Sequence, residues 1–108
     1  MYSRKSAAKL AARVKSLIGP VDRATIQRVA WDLGVHVGDL REIVEHQTPY
    51  PSVVVLAAIV DAYGVDAGWL LTGQYSPSTH RAEEELEAPG KWRVIRLLED
   101  LEGRQSTD

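Results

Sequence analysis

The chain of 108 residues contains no cysteine. That excludes a disulfide framework and any thiolate metal site, and it fits a reducing compartment. A membrane-length apolar run is missing too. The longest stretch free of Asp, Glu, Lys and Arg, from His46 to Val60, is too short and too rich in proline to span a bilayer. The basic, amphipathic start "MYSRKSAAKLAARVKSLIG" has no apolar centre followed by a cleavage site, so it does not read as a secretory signal. A phosphate loop, a dinucleotide fingerprint and a Ser-His-Asp arrangement are likewise missing. His36, His46 and His80 do not stand at metal-ligand spacing. The expectation is a cytoplasmic protein that is not an enzyme and has no cofactor, no metal and no membrane partner.

Acid is almost missing from the first quarter of the chain. Residues 1–28 hold Arg4, Lys5, Lys9, Arg13, Lys15, Arg23 and Arg28 against Asp22 alone. Residues 29–80 hold Arg41 against six acids, and residues 81–108 hold five bases against eight acids. The net charge of −2 speaks against a nucleic-acid binder, but the asymmetry speaks for an anionic partner at one end. The plainer reading is a first helix with a lysine-rich solvent face. The run "EEELE" at 83–87 reads as a solvated face or an acidic linker.

With 44% hydrophobic residues the chain can bury a core. Ala7, Leu10, Ala11, Val14, Leu17 and Ile18 recur at three- and four-residue steps, which predicts a helix from Arg4 to Ile18, capped by Ser3 and stopped by Gly19-Pro20. Ile26, Val29, Ala30 and Leu33 predict a second helix over 25–33 with Thr25 as its cap, and Gly34 supplies a tight turn. A third helix, from Val37 to Glu45, turns Leu40, Ile43 and Val44 inward, and the prolines of "HQTPYPS" end it. The run "SVVVLAAIVDAYG" suits a buried strand or a buried helix. Its length, Ser52 before it and Gly64 after it favour the helix, and no second strand exists to pair with. A short helix over 66–72 follows, with Trp69 in the core. Residues 76–90 read as a linker with a short helical piece in "HRAEEELE". The last helix, over 91–102, carries Val94, Leu97, Leu98 and Leu101 on one face, with Trp92 and Ile95 beside it, and a frayed tail follows.

The segments "VAWDLGVHVGDLREIVEHQTPYPS" and "LAAIVDAYGVDAGWLLTG" resemble the lambda-repressor-like, Xre-type helix-turn-helix family over residues 6–75. The resemblance implies an all-α fold: a five-helix helix-turn-helix domain over residues 1–75, joined by a linker over 76–90 to a C-terminal helix within 91–108. It implies a DNA-binding transcriptional regulator, of bacterial or phage origin and most simply a repressor, acting as a homodimer on double-stranded DNA. Carried over by position, His36, Val37, Gly38, Arg41 and Glu42 face bases. Thr25, Gln27, Arg28, Gln47, Thr48 and Tyr50 face phosphates. Trp92, Val94, Ile95, Leu97, Leu98 and Leu101 form the dimer surface, unless the last helix folds back on its own domain. The chain departs from the family pattern at Ile26, His36, Val44 and His46. Asp39 and Glu42 put acid on the reading helix. These features keep open a second function on the same fold, an adaptor or antitoxin-like module that binds a protein partner.

Some residues admit two readings. Arg41 either reads a base or pairs with Glu45 at i+4. His36 either contacts DNA or caps the third helix. Trp31 lies off its helix's apolar stripe and either packs on a neighbouring helix edge or marks a partner surface.

Overall fold

A computed structural model describes residues 3–75, 77 and 90–105. They form six helices: α1 (Arg4–Ile18), α2 (Arg23–Leu33), α3 (Val37–Val44), α4 (Val53–Tyr63), α5 (Ala67–Thr72) and α6 (Gly90–Gln105). The described residues contain no strand. The linker expected at 76–90 falls almost wholly outside them, as do its helical piece and residues 106–108 of the tail.

Capping sets most of the boundaries. Five side chains accept a hydrogen bond from a first-turn amide: Ser3, Asp22, His36, Ser52 and Asp66. Each satisfies a donor that the helix itself leaves unpaired. In α2 the cap is Asp22, whose Oδ1 accepts from the Thr25 amide at 2.8 Å. This corrects the expected cap. Thr25 lies inside the first turn, because the carboxylate three residues earlier is the stronger acceptor. The valine-rich segment is helical, and Gly64 behind it takes the left-handed conformation at φ 62°.

The core follows the apolar stripes. Leu10, Val14, Ile26, Leu40, Ile43, Leu56, Ile59, Leu70 and Leu71 are fully buried. The described residues span 36 × 35 × 19 Å, about two helix diameters in the thin direction. α1 packs on α3 and α5, α2 on α3 and α4, and α4 on α5. α4 is apolar on nearly every side, so it needs cover on nearly every side. α6 provides the missing cover by packing along α4 and α5.

That placement decides where the last apolar stripe goes. Val94 is completely buried in the chain's own core, and Leu97, Leu98 and Leu101 pack against it. The stripe folds back on its own domain. Of the residues expected to meet a second copy, Val94 has no surface to offer, and the three leucines are largely committed within the chain. Trp92 is 61% exposed, and Ile95 is half-buried.

A long-range polar tie crosses the fold. Arg13 Nε donates to the Leu70 carbonyl at 2.7 Å, and its guanidinium lies within 3.0 Å of where a Cβ on Gly73 would stand. Arg13 therefore closes the C-terminal end of α5. No helix among the described residues is long and apolar enough to cross a membrane.

Candidate functional site

The α2–α3 junction is a three-residue turn with a defined hydrogen-bond pattern. Gly34 sits at φ 70°, ψ 32°. The Val35 amide donates to the Ala30 carbonyl at 3.0 Å, and the Gly34 amide to the Trp31 carbonyl at 3.1 Å. This 6→1 and 5→2 pair closes the helix end and directs the chain into α3. Ala30, almost fully buried, is small enough to let the two helices approach closely.

His36 opens α3. Its Nδ1 accepts from the Gly38 amide at 3.1 Å. A Cβ on Gly38 would stand 3.0 Å from that same nitrogen, so Gly38 makes room for the imidazole. With Nδ1 accepting, the ring proton sits on Nε2, which leaves a donor free for another group. His36 is thus the cap, and Gly38 is its seat.

A groove of about 380 Å³ runs between the first turns of α2 and the outer face of α3. Arg23, Ile26, Gln27, Val37, Arg41 and Glu45 line it. It brings together three residues singled out from the sequence, Gln27, Val37 and Arg41. It adds Arg23, counted from the sequence only among the bases of the first quarter, and it includes Glu45, the i+4 partner the sequence offers Arg41. Ile26, a departure from the family pattern, is fully buried beneath it as a core residue. Arg41 Nε meets Glu45 Oε2 at 3.1 Å, so the pairing at i+4 is the one observed. The Arg41 side chain remains 50% exposed, a setting in which such a pair is worth little.

The remaining candidates are not part of the groove's lining. Arg28 is exposed on α2, and its charge also acts on Asp22. The Thr25 amide above all, helped by the Thr25 hydroxyl, holds the Asp22 carboxyl below its ordinary value. At Thr25, which the resemblance turns toward phosphates, the amide thus already holds a carboxylate. Glu42 is exposed on α3. In the loop after α3, Gln47 has φ 49°, the one non-glycine residue with positive φ among those described. Thr48 donates its amide to the Glu42 carbonyl at 3.0 Å, and its hydroxyl accepts from the Tyr50 amide at 3.1 Å. That loop is thus built by its own polar groups. Tyr50 is 71% exposed and points to a different groove, shared with α6.

No protein-family model, curated protein or solved structure matches the chain. Two further surfaces count. The outer face of α1 carries Arg4, Lys5, Lys9 and Lys15 with no acid among them, and none of the four is in an ion pair among the described residues. Trp31 is 86% exposed, so the expectation that it packs on a helix edge is corrected. It stands one turn beyond Gln27 and Arg28 on the outward side of α2. Among the described residues, no three His, Asp or Glu side chains converge as metal ligands would.

Proposed function

We propose that the chain is a sequence-specific DNA-binding regulator of the lambda-repressor-like, Xre-type kind, with α2, the Gly34 turn and α3 as its reading unit. The observation that carries this reading is the groove joining Arg23 and Gln27 of α2 to Val37 and Arg41 of α3. It gathers two guanidinium groups and an amide around one groove between two helices. A guanidinium can grip guanine bidentately, and an amide can grip adenine. Arg41 reads a base once it exchanges Glu45 for DNA, which costs little for so exposed a pair. Arg23 and the Nε2–H of His36 serve phosphates. The acids on α3 weaken non-specific holding, so affinity must come from the bases of α1 and α2. Such a protein occupies an operator and needs no chemistry of its own.

The test is selection from fragmented genomic DNA at about 50 and about 200 mM salt, a range over which phosphate contacts weaken steeply. Selective recovery of a few fragments is expected. Arg41→Ala should lower affinity for them about tenfold or more, and Arg23→Ala should lower it uniformly across sequences. No selective recovery at either salt would end this reading.

A second reading rests on Trp31. An indole so exposed, on a helix whose neighbour α3 bears Asp39, Glu42 and Glu45, suits an adaptor or antitoxin-like module that binds a protein. Under that reading Trp31→Ala abolishes partner binding, and Arg41→Ala leaves it intact.

A further inference from the structure

A second groove, of about 240 Å³, lies between the α3–α4 loop and α6. Pro49, Tyr50 and Pro51 line one side of it, and Ile95, Leu98 and Glu99 line the other. It shares no residue with the α2–α3 groove, so what it binds does not depend on whether the chain reads DNA. Its lining is mainly apolar, with Glu99 the one charged group. Trp92 stands one helical turn before Ile95, on the same side of α6. Tyr50 and Trp92 are both exposed, and neither the Tyr50 hydroxyl nor the Trp92 indole N–H has a hydrogen-bond partner among the described residues.

What the groove lacks narrows its occupant. Pro49 and Pro51 have no N–H, and the Tyr50 amide already donates to the Thr48 hydroxyl at 3.1 Å. The amides of Ile95, Leu98 and Glu99 lie beyond the first turn of α6 and serve the helix itself. Neither stretch has an amide to give, so an extended partner cannot join them as an added strand. A helical partner spends its carbonyls on its own hydrogen bonds and has none for the phenol and the indole. A proline-rich peptide in the polyproline II conformation differs on both counts. Its prolines carry no N–H, its carbonyls are free to accept, and its rings pack on aromatic faces. We infer that this groove takes such a peptide, with a basic residue of the peptide beside Glu99.

Local order and charge fit that occupant. Pro51 is buried and restricts the backbone of Tyr50 before it, so the loop that presents the ring is set before any partner arrives. Glu99 forms no ion pair among the described residues, not even with Arg96 one turn earlier, and Asp100 is exposed next to it. The exposed cations Lys91 and Arg96 lie toward the start of α6. The acidic side at Glu99 and Asp100 is therefore the one a basic residue seeks, and the prolines lie over Tyr50 and Trp92.

The experiment is fluorescence anisotropy of a short labelled peptide, one arginine followed by alternating proline and leucine, titrated with the full chain. Saturable binding is expected. Tyr50→Ala and Trp92→Ala should each weaken it about fivefold or more, and Tyr50→Phe, which keeps the ring and removes the donor, about threefold. Glu99→Gln should weaken it about threefold, and should leave unchanged the binding of a peptide whose arginine is replaced by glutamine. All three positions are exposed, so the fold should survive, and circular dichroism checks it. No saturable binding to the wild-type chain would overturn the proposal. Equal binding of a peptide with alanine in place of every proline would overturn it in favour of a helical partner. A dimer of the chain alone that is lost with Tyr50→Ala would give the groove to a second copy. Peptide binding indifferent to both Tyr50→Ala and Glu99→Gln would place the peptide elsewhere.

Discussion

At the scale of single residues, Asp22 has two effects that pull apart. Its carboxylate caps α2 and is held below its ordinary value chiefly by the Thr25 amide. A depressed folded-state value means that the carboxylate's stabilising contribution is present above the unfolded-state value. It is lost as pH falls through the lowered one. The same charge stands at a helix start beside Arg23 and Arg28, where it repels a phosphate. Asp22→Asn should keep a capping oxygen and remove the titration. Its acid unfolding curve should flatten below the usual carboxylate range, and its affinity for any selected DNA should rise. Asp22→Ala should lower stability at neutral pH. Urea melts at neutral and acidic pH check both outcomes.

Among the elements, α6 makes the clearest claim. Val94 is its one completely buried residue among those whose side chains are described, and it enters a core already lined by α4 and α5. Val94→Ala removes two methyl groups from a packed site and should cost about 2 kcal/mol, from lost transfer energy and the cavity left behind. Thermal melts of the variant check this. A change of a few tenths would show that α6 contributes little to the domain. The helices themselves were legible from spacing and punctuation. Ser3, Ser52 and Gly64 mark ends that the structure reproduces, and the valine run is helical as those marks require. The cap of α2 was misassigned because Thr25 and Asp22 are both capping types, and only the geometry ranks them. The destination of the α6 stripe was not legible, although a clue existed. An α4 apolar on nearly every side needs more cover than four other helices supply. The site was half legible. Gln27, Val37 and Arg41 follow from position along two helices. Glu45 follows from its i+4 spacing to Arg41, whereas Arg23 joins them only because the helices cross, and a single sequence does not display crossings.

On the scale of the whole molecule, charge separates into territories. α1 shows four cations with no ion pair among the described residues, while the outer face of α3 shows one cation among acids. If DNA lies across the reading unit, the phosphates must find most of their counter-charge away from α3. Lys5→Gln, Lys9→Gln and Lys15→Gln together should leave sequence preference unchanged. They should reduce the slope of log affinity against log salt by about 0.9 for each lysine that contacts a phosphate. An unchanged slope would assign the α1 face to solvent alone.

The bond from Arg13 to the Leu70 carbonyl also governs the order of events during synthesis. Its two ends are 57 positions apart, and α1 rests on α3 and α5. While the ribosome is still making the middle of the chain, the first helix has nothing to lean on. It must wait, as a short and marginal helix, for residues translated much later. The cationic segment therefore leaves the exit tunnel before the helices it packs on, and finds its place only after them. A nascent chain held at residue 60 should leave that segment open to protease, and one long enough to expose residue 73 should begin to protect it.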